Sequence, residues 1–318
     1  MPEYAGKKIL VTGGAGFIGS HLVRRLLRDG CPVAVLTKEG SDLGRIEDIL
    51  PRLEILYDDL SDPGRLQKLL SGIEPYGIFH CAALNVKSGV AAPEDDLIKV
   101  NIAGTVHLLK ALEGIDYKFF INCGSYLEYG TKEKPFRETD VCEPVEIYAL
   151  TKLAATLYCQ TVARSSGKPI ITFRIFNPYG PDMEPGRLVY EVVRRALKNE
   201  EIMLTRPEVS RDFNFIDDLV DLFVEAMDKA SARKGEIFNA GNGVVTTIED
   251  LVGLALRITG SKSAVKWGGA KDVAYDRGCQ EADMEKTLSA FRWRPKYDIE
   301  AGIKKMAEWF ASRETESI

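Results

Sequence analysis

The stretch Lys8–Val23, KILVTGGAGFIGSHLV, sets the tightest limit on what this chain can fold into. Ile9-Leu10-Val11 is an apolar β-type run that breaks into Thr12-Gly13-Gly14-Ala15-Gly16-Phe17-Ile18-Gly19, after which Ile18, Leu22 and Leu26 fall on one side of a helix. The order is strand, tight turn, helix. Glycines at these points let a diphosphate approach the backbone N–H groups and the positive end of the helix, where a Cβ would obstruct it. Gly13 permits the turn, Gly14 and Gly16 the close approach, and Gly19 the packing of helix on strand. The same glycine spacing occurs in ordinary loops; the strand before it and the helix after it make the dinucleotide reading, with Phe17 and Ile18 counted in the cofactor site.

The strands that follow fit that reading. Cys31–Thr37, Leu53–Tyr57 and Tyr76–Ala82 are short apolar runs separated by capped helical patterns such as Ser61-Asp62-Pro63 ahead of Leu66–Leu70. Strands alternating with helices imply parallel crossovers and an α/β, doubly wound sheet of the Rossmann type. The end of the second strand reads the adenosine ribose in such folds, an acid accepting from a 2′-hydroxyl and basic groups accommodating a 2′-phosphate. Here it ends in Thr37-Lys38, with Ser41 and Arg45 following, which predicts NADP(H); Glu39 argues for NAD(H), and solvated surface charge is the other reading of Lys38 and Arg45. Asp59-Leu60 ends the third strand where a carboxylate could meet an adenine amino group, or simply act as a helix N-terminal acid. Ala82 and Ala83 close the fourth strand with small side chains that suit a passing cofactor, and His80 reads as a structural histidine.

Composition excludes several classes. A net charge of −5 gives no basic footprint for nucleic acid. No apolar run reaches membrane-spanning length and Met1–Gly6 lacks signal-peptide order, so a cytoplasmic location is expected. Six cysteines without a C-x-x-C pair and three histidines predict reduced thiols and no metal site.

Asp95–Leu112 reads as a long amphipathic helix with Asn101 on its apolar stripe and Gly104-Thr105 forming a flat patch. A buried amide needs partners, either the neighbouring strand or a water relay. Tyr117–Ser125 reads as a fifth strand ending in serine, and past Pro144 a helix carries Tyr148-x-x-x-Lys152. The i, i+4 spacing puts phenol and ammonium on one face, and the cation is expected to lower the tyrosine pKa and make it a usable acid or base.

Taken jointly, Thr12-Gly13-x-x-Gly16-x-x-Gly19, Asp59-Leu60, His80-x-Ala82-Ala83, Asn101-x-x-Gly104-Thr105, Ser125, Tyr148-x-x-x-Lys152, Arg174-x-x-Asn177-Pro178-Tyr179-Gly180-Pro181 and Arg211-Asp212-Phe213 resemble one family across the whole chain. It is the extended short-chain dehydrogenase/reductases, in the NAD-dependent epimerase/dehydratase group acting on nucleotide-diphosphate sugars. The resemblance implies that Ser125 orients a carbonyl or hydroxyl, Tyr148 transfers the proton and Lys152 holds the nicotinamide ribose. It also implies a homodimer through the helices around Asn101 and Tyr148. A smaller, interleaved C-terminal substrate domain is expected, with 1–176 plus about 212–245 binding the nucleotide and 177–211 plus about 246–318 binding the nucleotide sugar. Ile170–Phe176 reads as a sixth strand ending at Asn177, and Glu236–Asn239 as a seventh returning to the sheet. Arg187 and Arg211, with Lys271 and Arg277 as further candidates, are cations available for a diphosphate.

The residues after the serine separate the family's chemistries. Tyr126-Leu127 stands where 4,6-dehydratases carry an Asp-Glu pair and decarboxylases a glutamate, and Glu128 falls at an otherwise aliphatic position, so both reactions are disfavoured. The leading expectation is NADPH-dependent reduction of a nucleotide-linked 4-keto-6-deoxyhexose, supported by segments similar to the reductases that make paratose and abequose nucleotides. A 4-epimerase with retained NAD is the alternative. An NADP-binding sensor without activity is the third, disfavoured by the presence of Ser125, Tyr148 and Lys152 together.

Overall fold

The apolar runs between glycine turns become the strands of one sheet in a computed structural model that describes residues 3–85, 92–269 and 278–316. Seven strands, β1 (Ile9–Thr12), β2 (Val33–Thr37), β3 (Leu53–Tyr57), β4 (Gly77–His80), β5 (Phe119–Ser125), β6 (Ile170–Ile175) and β7 (Ile237–Ala240), pair in parallel in the order β7-β6-β5-β4-β1-β2-β3. Strand order reverses at β1, which has β4 on one side and β2 on the other. Doubly wound sheets bind ligands in the crevice at the carboxyl ends beside such a reversal.

Helices cover both faces, so successive strand residues belong to different cores. Ile9, Val11, Phe79, Phe119, Ile121 and Phe173 enter the larger cluster. Leu10, Leu36, Ile78 and Phe120 enter the other, under Leu108, Leu112 and Cys159. The covering helices are α1 (Phe17–Arg28), α2 (Pro63–Ser71), α3 (Glu94–Leu97, continued by Ile98–Ala103 and Gly104–Ala111), α4 (Ile147–Ser166), α5 (Leu188–Leu197), α6 (Ile216–Ala226), α7 (Ile248–Thr259), α8 (Glu285–Ala290) and α9 (Ile299–Glu316).

The sequence pattern of Asp95–Leu112 predicts a regular helix, and the structure departs from it at one place. Ile98–Ala103 is a π-helical segment around Asn101. Such segments re-aim one side chain within a helix and concentrate at functional sites. Three small pairings outside the main sheet carry too few residues for a period-2 pattern: Pro178–Tyr179 with Asn214–Phe215, Ser210–Asp212 with Val245–Thr247, and Ile202–Leu204 with Val265–Trp267. Among the described residues no helix is long and apolar enough to cross a membrane.

Candidate active site

The glycine turn is built from backbone constraints. Gly13 has φ +68°, a conformation that glycine adopts without penalty, and a Cβ there would lie 2.7 Å from the Ala82 nitrogen. Thr12 accepts from the same Ala82 N–H at 3.2 Å, so the end of β4 lies directly against the turn. A Cβ on Gly19 would strike the Gly13 carbonyl, so α1 packs closely on the glycine turn there. At Gly14 a Cβ would meet the Val35 methyls at 2.8 Å, so its missing side chain also serves packing against β2. Gly16 caps α1 in an extended conformation with no side-chain cap and no acid in the first turn, where Phe17 is buried and Ile18 half-buried. The N–H groups of this helix start are therefore left for an anion, and the cradle fits a dinucleotide diphosphate.

The ribose end fits a 2′-phosphate less well than the sequence suggests. Thr37 is buried at the end of β2 and Lys38 is exposed. Arg45 is committed elsewhere: its Nε donates to the Asp182 carbonyl at 2.8 Å and its Nη2 lies 3.5 Å from Glu184. Asp59 is exposed, with Oδ1 accepting from Ser61 N at 3.0 Å. Hydrogen bonding from Ser61, then Lys99 and Lys38, hold its carboxyl below the ordinary value. Leu60 takes φ +62° so that its side chain covers Gly104, where a Cβ would be 3.3 Å away, which explains the flat patch on α3.

His80 and Asn101 are fully engaged in holding the frame. His80 bridges the hydroxyls of Thr12 at 2.7 Å and Thr105 at 2.9 Å, and burial drives its pKa down to about 3. The Asn101 amide accepts from Leu84 N at 2.7 Å and donates to Leu84 O and to Thr151 Oγ1, each at 3.0 Å. Of the two readings of Asn101, the backbone partner is the one present: it pins the segment after β4 to α4. Ala82 is half-buried and Ala83 exposed on that segment.

Ser125, Tyr148, Lys152 and Arg187 converge at the carboxyl ends of β4 and β5. Ser125 caps a short 3₁₀ turn, Tyr126–Tyr129, where its hydroxyl accepts from Leu127 N at 3.3 Å, and it lies near enough to the Tyr148 phenol to lower its pKa. Lys152 is buried, and its charge is felt at His80, Cys81 and Cys159. The expectation that a nearby cation sets a low Tyr148 pKa needs correction. Burial comes first and pushes the phenol above its ordinary value; Arg187 and the nearby Ser125 hydroxyl pull it down, while Glu128 and Glu146 push it up. The cation with the largest pull on the phenol is Arg187, from outside the Tyr-x-x-x-Lys motif.

The other predicted contacts divide. Asn177 donates to the Asp212 carbonyl at 3.1 Å and accepts from Asn214 N at 3.2 Å, tying β6 to the segment that carries Arg211. Arg211 sits half-buried opposite Thr246 in a two-stranded pairing. Lys271 and Arg277 lie outside the described residues. The sequence reading uses Glu128 only to disfavour two reactions; its burial beneath Ser125 is signalled by the Ser125-x-x-Glu128 capping-box spacing.

Comparison with known proteins adds the chemistry's context. The model of the NAD dependent epimerase/dehydratase family matches residues 9–241. UDP-glucuronate 4-epimerase 1 of Arabidopsis thaliana is 28% identical over 336 residues, spanning 96% of this chain and 77% of that protein. A UDP-glucose 4-epimerase of Thermotoga maritima solved with UDP-glucose is 29% identical with TM-score 0.88, over 96% of this chain and 99% of that one. A Bacillus cereus UDP-glucuronic acid 4-epimerase solved with UDP-glucuronic acid and NAD is 25% identical with TM-score 0.86, over 96% and 99%.

Proposed function

Because the chain belongs to the NAD dependent epimerase/dehydratase family, we propose that it is a nucleotide-sugar 4-epimerase that retains NAD through turnover. The observation carrying this reading is the Ser125 hydroxyl beside the Tyr148 phenol, with Lys152 buried one helical turn on, in a family whose matched relatives include several 4-epimerases. Those relatives support epimerisation over the net ketone reduction and the reductase likeness expected from the sequence. NAD is favoured over NADP because Arg45 is bound to Asp182 and Glu184. Residues 1–176 with about 212–245 would hold NAD, and 177–211 with about 246–318 the sugar nucleotide.

Bound NAD supplies a hydride acceptor and donor at sugar C4. The glycine turn from Gly13 to Gly19 would hold its diphosphate, with Ala82 and Ala83 alongside and Lys152 near the ribose. Tyr148 takes the proton from the sugar 4-hydroxyl as C4 is oxidised and returns it to the ketone oxygen after the opposite face is presented. Ser125 donates to that oxygen while charge develops on it, and its place is fixed before reaction, so little reorganisation is needed. Arg187 and Arg211 would receive the diphosphate of the sugar nucleotide. Exposed apolar Ile98, Leu150 and Leu157 on α3 and α4 support a homodimer through those helices.

Nucleotide released from purified, denatured protein tests the reading together with a panel of UDP-sugars. Near-stoichiometric NAD and interconversion of a C4 pair are expected. Empty protein that consumes NADPH with a 4-keto sugar nucleotide would restore the reductase reading.

A further inference from the structure

Beneath Ser125 lies a charge that the chemistry above does not use. Glu128 is completely buried. Its Oε1 accepts from Ser125 N at 2.8 Å and from Thr156 Oγ1 at 3.0 Å, and its Oε2 accepts from Arg174 Nε at 2.9 Å. These donors come from three elements: the end of β5, helix α4 one turn beyond Lys152, and β6. Room for the carboxylate comes from Gly124, where a Cβ would lie 2.7 Å from Oε1. The Arg174 guanidinium lies over the Tyr129 ring with 4.3 Å to its centroid, and Tyr129 donates to Asn239 Oδ1 on β7 at 2.6 Å.

A capping box needs only a glutamate that reaches back to the cap; it needs neither full burial nor an arginine partner. Taking two charges out of water is costly unless geometry and additional hydrogen bonds compensate. Here the carboxylate has three donors, and each comes from an element that positions a reacting group or backs one. We propose that Glu128 is a positioning residue: its carboxylate clamps β5, α4 and β6 and so sets where the Ser125 hydroxyl stands relative to the Tyr148 phenol. This rests on the reading of Ser125 and Tyr148 as the reacting pair.

The electrostatic consequence has a definite sign. Tyr148 faces Ser125 from β5, Glu128 from the 3₁₀ turn, Glu146 at the start of its own helix, Lys152 one turn along it, and Arg187 from the segment before α5. Glu128→Gln removes a negative charge and leaves Arg174 positive. That one change favours phenolate, so the phenol is expected to titrate at lower pH.

The test combines kinetics with a titration that needs no turnover. In Glu128→Gln, kcat for the sugar nucleotide is expected to fall about 10²-fold with little change in KM, the signature of misplaced reacting groups. With 3,5-difluorotyrosine incorporated at position 148, fluorine NMR should show a lower midpoint in Glu128→Gln than in the otherwise unchanged protein. The pair Glu128→Val with Arg174→Leu removes both charges and should recover the melting temperature while kcat stays low. Recovery of kcat in that double variant, or an unshifted fluorine midpoint, would overturn the proposal. Failure of the unaltered enzyme to interconvert any UDP-sugar would count against the epimerase reading, while the fluorine midpoints would still decide the role of Glu128.

Discussion

The two halves of the site are made from different materials. The turn from Gly13 to Gly19 is backbone: its geometry is set by one left-handed residue and by places where a Cβ cannot fit. The corner at Ser125, Tyr148 and Lys152 is side chain, held by hydrogen bonds and a buried ion pair between residues as far apart as Glu128 and Arg174. A backbone cradle binds whatever presents a diphosphate, whereas a side-chain corner sets the protonation state of the reacting group. Binding and chemistry should therefore fail separately when each is broken.

The largest separation is expected from Tyr148→Phe, which should cost about 10²–10⁴-fold in kcat while NAD content and melting temperature stay unchanged. Progress curves with extracted-nucleotide analysis check it, and loss of NAD would merge the two halves.

His80 joins the halves, since it links Thr12 of the turn to Thr105 of α3. Its pKa is near 3 in the folded chain against an ordinary 6.5, so the unfolded chain binds the proton more tightly between those values. Its stabilising effect is complete above pH 6.5 and is lost as pH falls towards 3. Denaturant unfolding at pH 4.5 and pH 7 should give about 2–3 kcal/mol more pH sensitivity in the unaltered protein than in His80→Gln.

Gly13→Ala attacks the backbone half alone. Left-handed strain of about 1–2 kcal/mol, with the clash at Ala82 added, should weaken NAD retention about tenfold or more. Adding excess NAD should then restore kcat, because the side-chain corner is untouched. Arg45→Gln should have the smallest effect. Its partners Asp182 and Glu184 lie on the segment leading to Arg187, so a severalfold rise in KM for the sugar nucleotide is expected with NAD affinity unchanged. A change in NADPH binding instead would return Arg45 to the ribose.

The same division explains what was legible in the sequence. Strand β3, Leu53–Tyr57, matches its sequence reading at both ends, and Gly13 and Gly19 do what their spacing implies, because strand period and glycine geometry are local properties. The packing constraint at Gly14 is not legible locally, because its neighbour Val35 belongs to another strand. The proposed reacting residues Ser125, Tyr148 and Lys152 are legible as a pattern, but the charges around Tyr148 are not. Arg187 is 39 positions beyond Tyr148, and Glu128 acts through partners on α4 and β6, so neither follows from helical spacing. Arg45 shows the converse: a basic residue after β2 reads as a phosphate partner, and the partners it has in the fold are 137 and 139 residues away.

The most direct test of the central claim, that C4 is oxidised and reduced again within one site, follows an isotope. A UDP-sugar carrying deuterium at C4 is incubated with the protein as purified, without added cofactor, and the products are resolved by NMR. The epimerase account predicts both C4 epimers with deuterium still at C4 and none in the solvent. No epimer without added NADPH, or an epimer that has exchanged its C4 deuterium for solvent hydrogen, would contradict it.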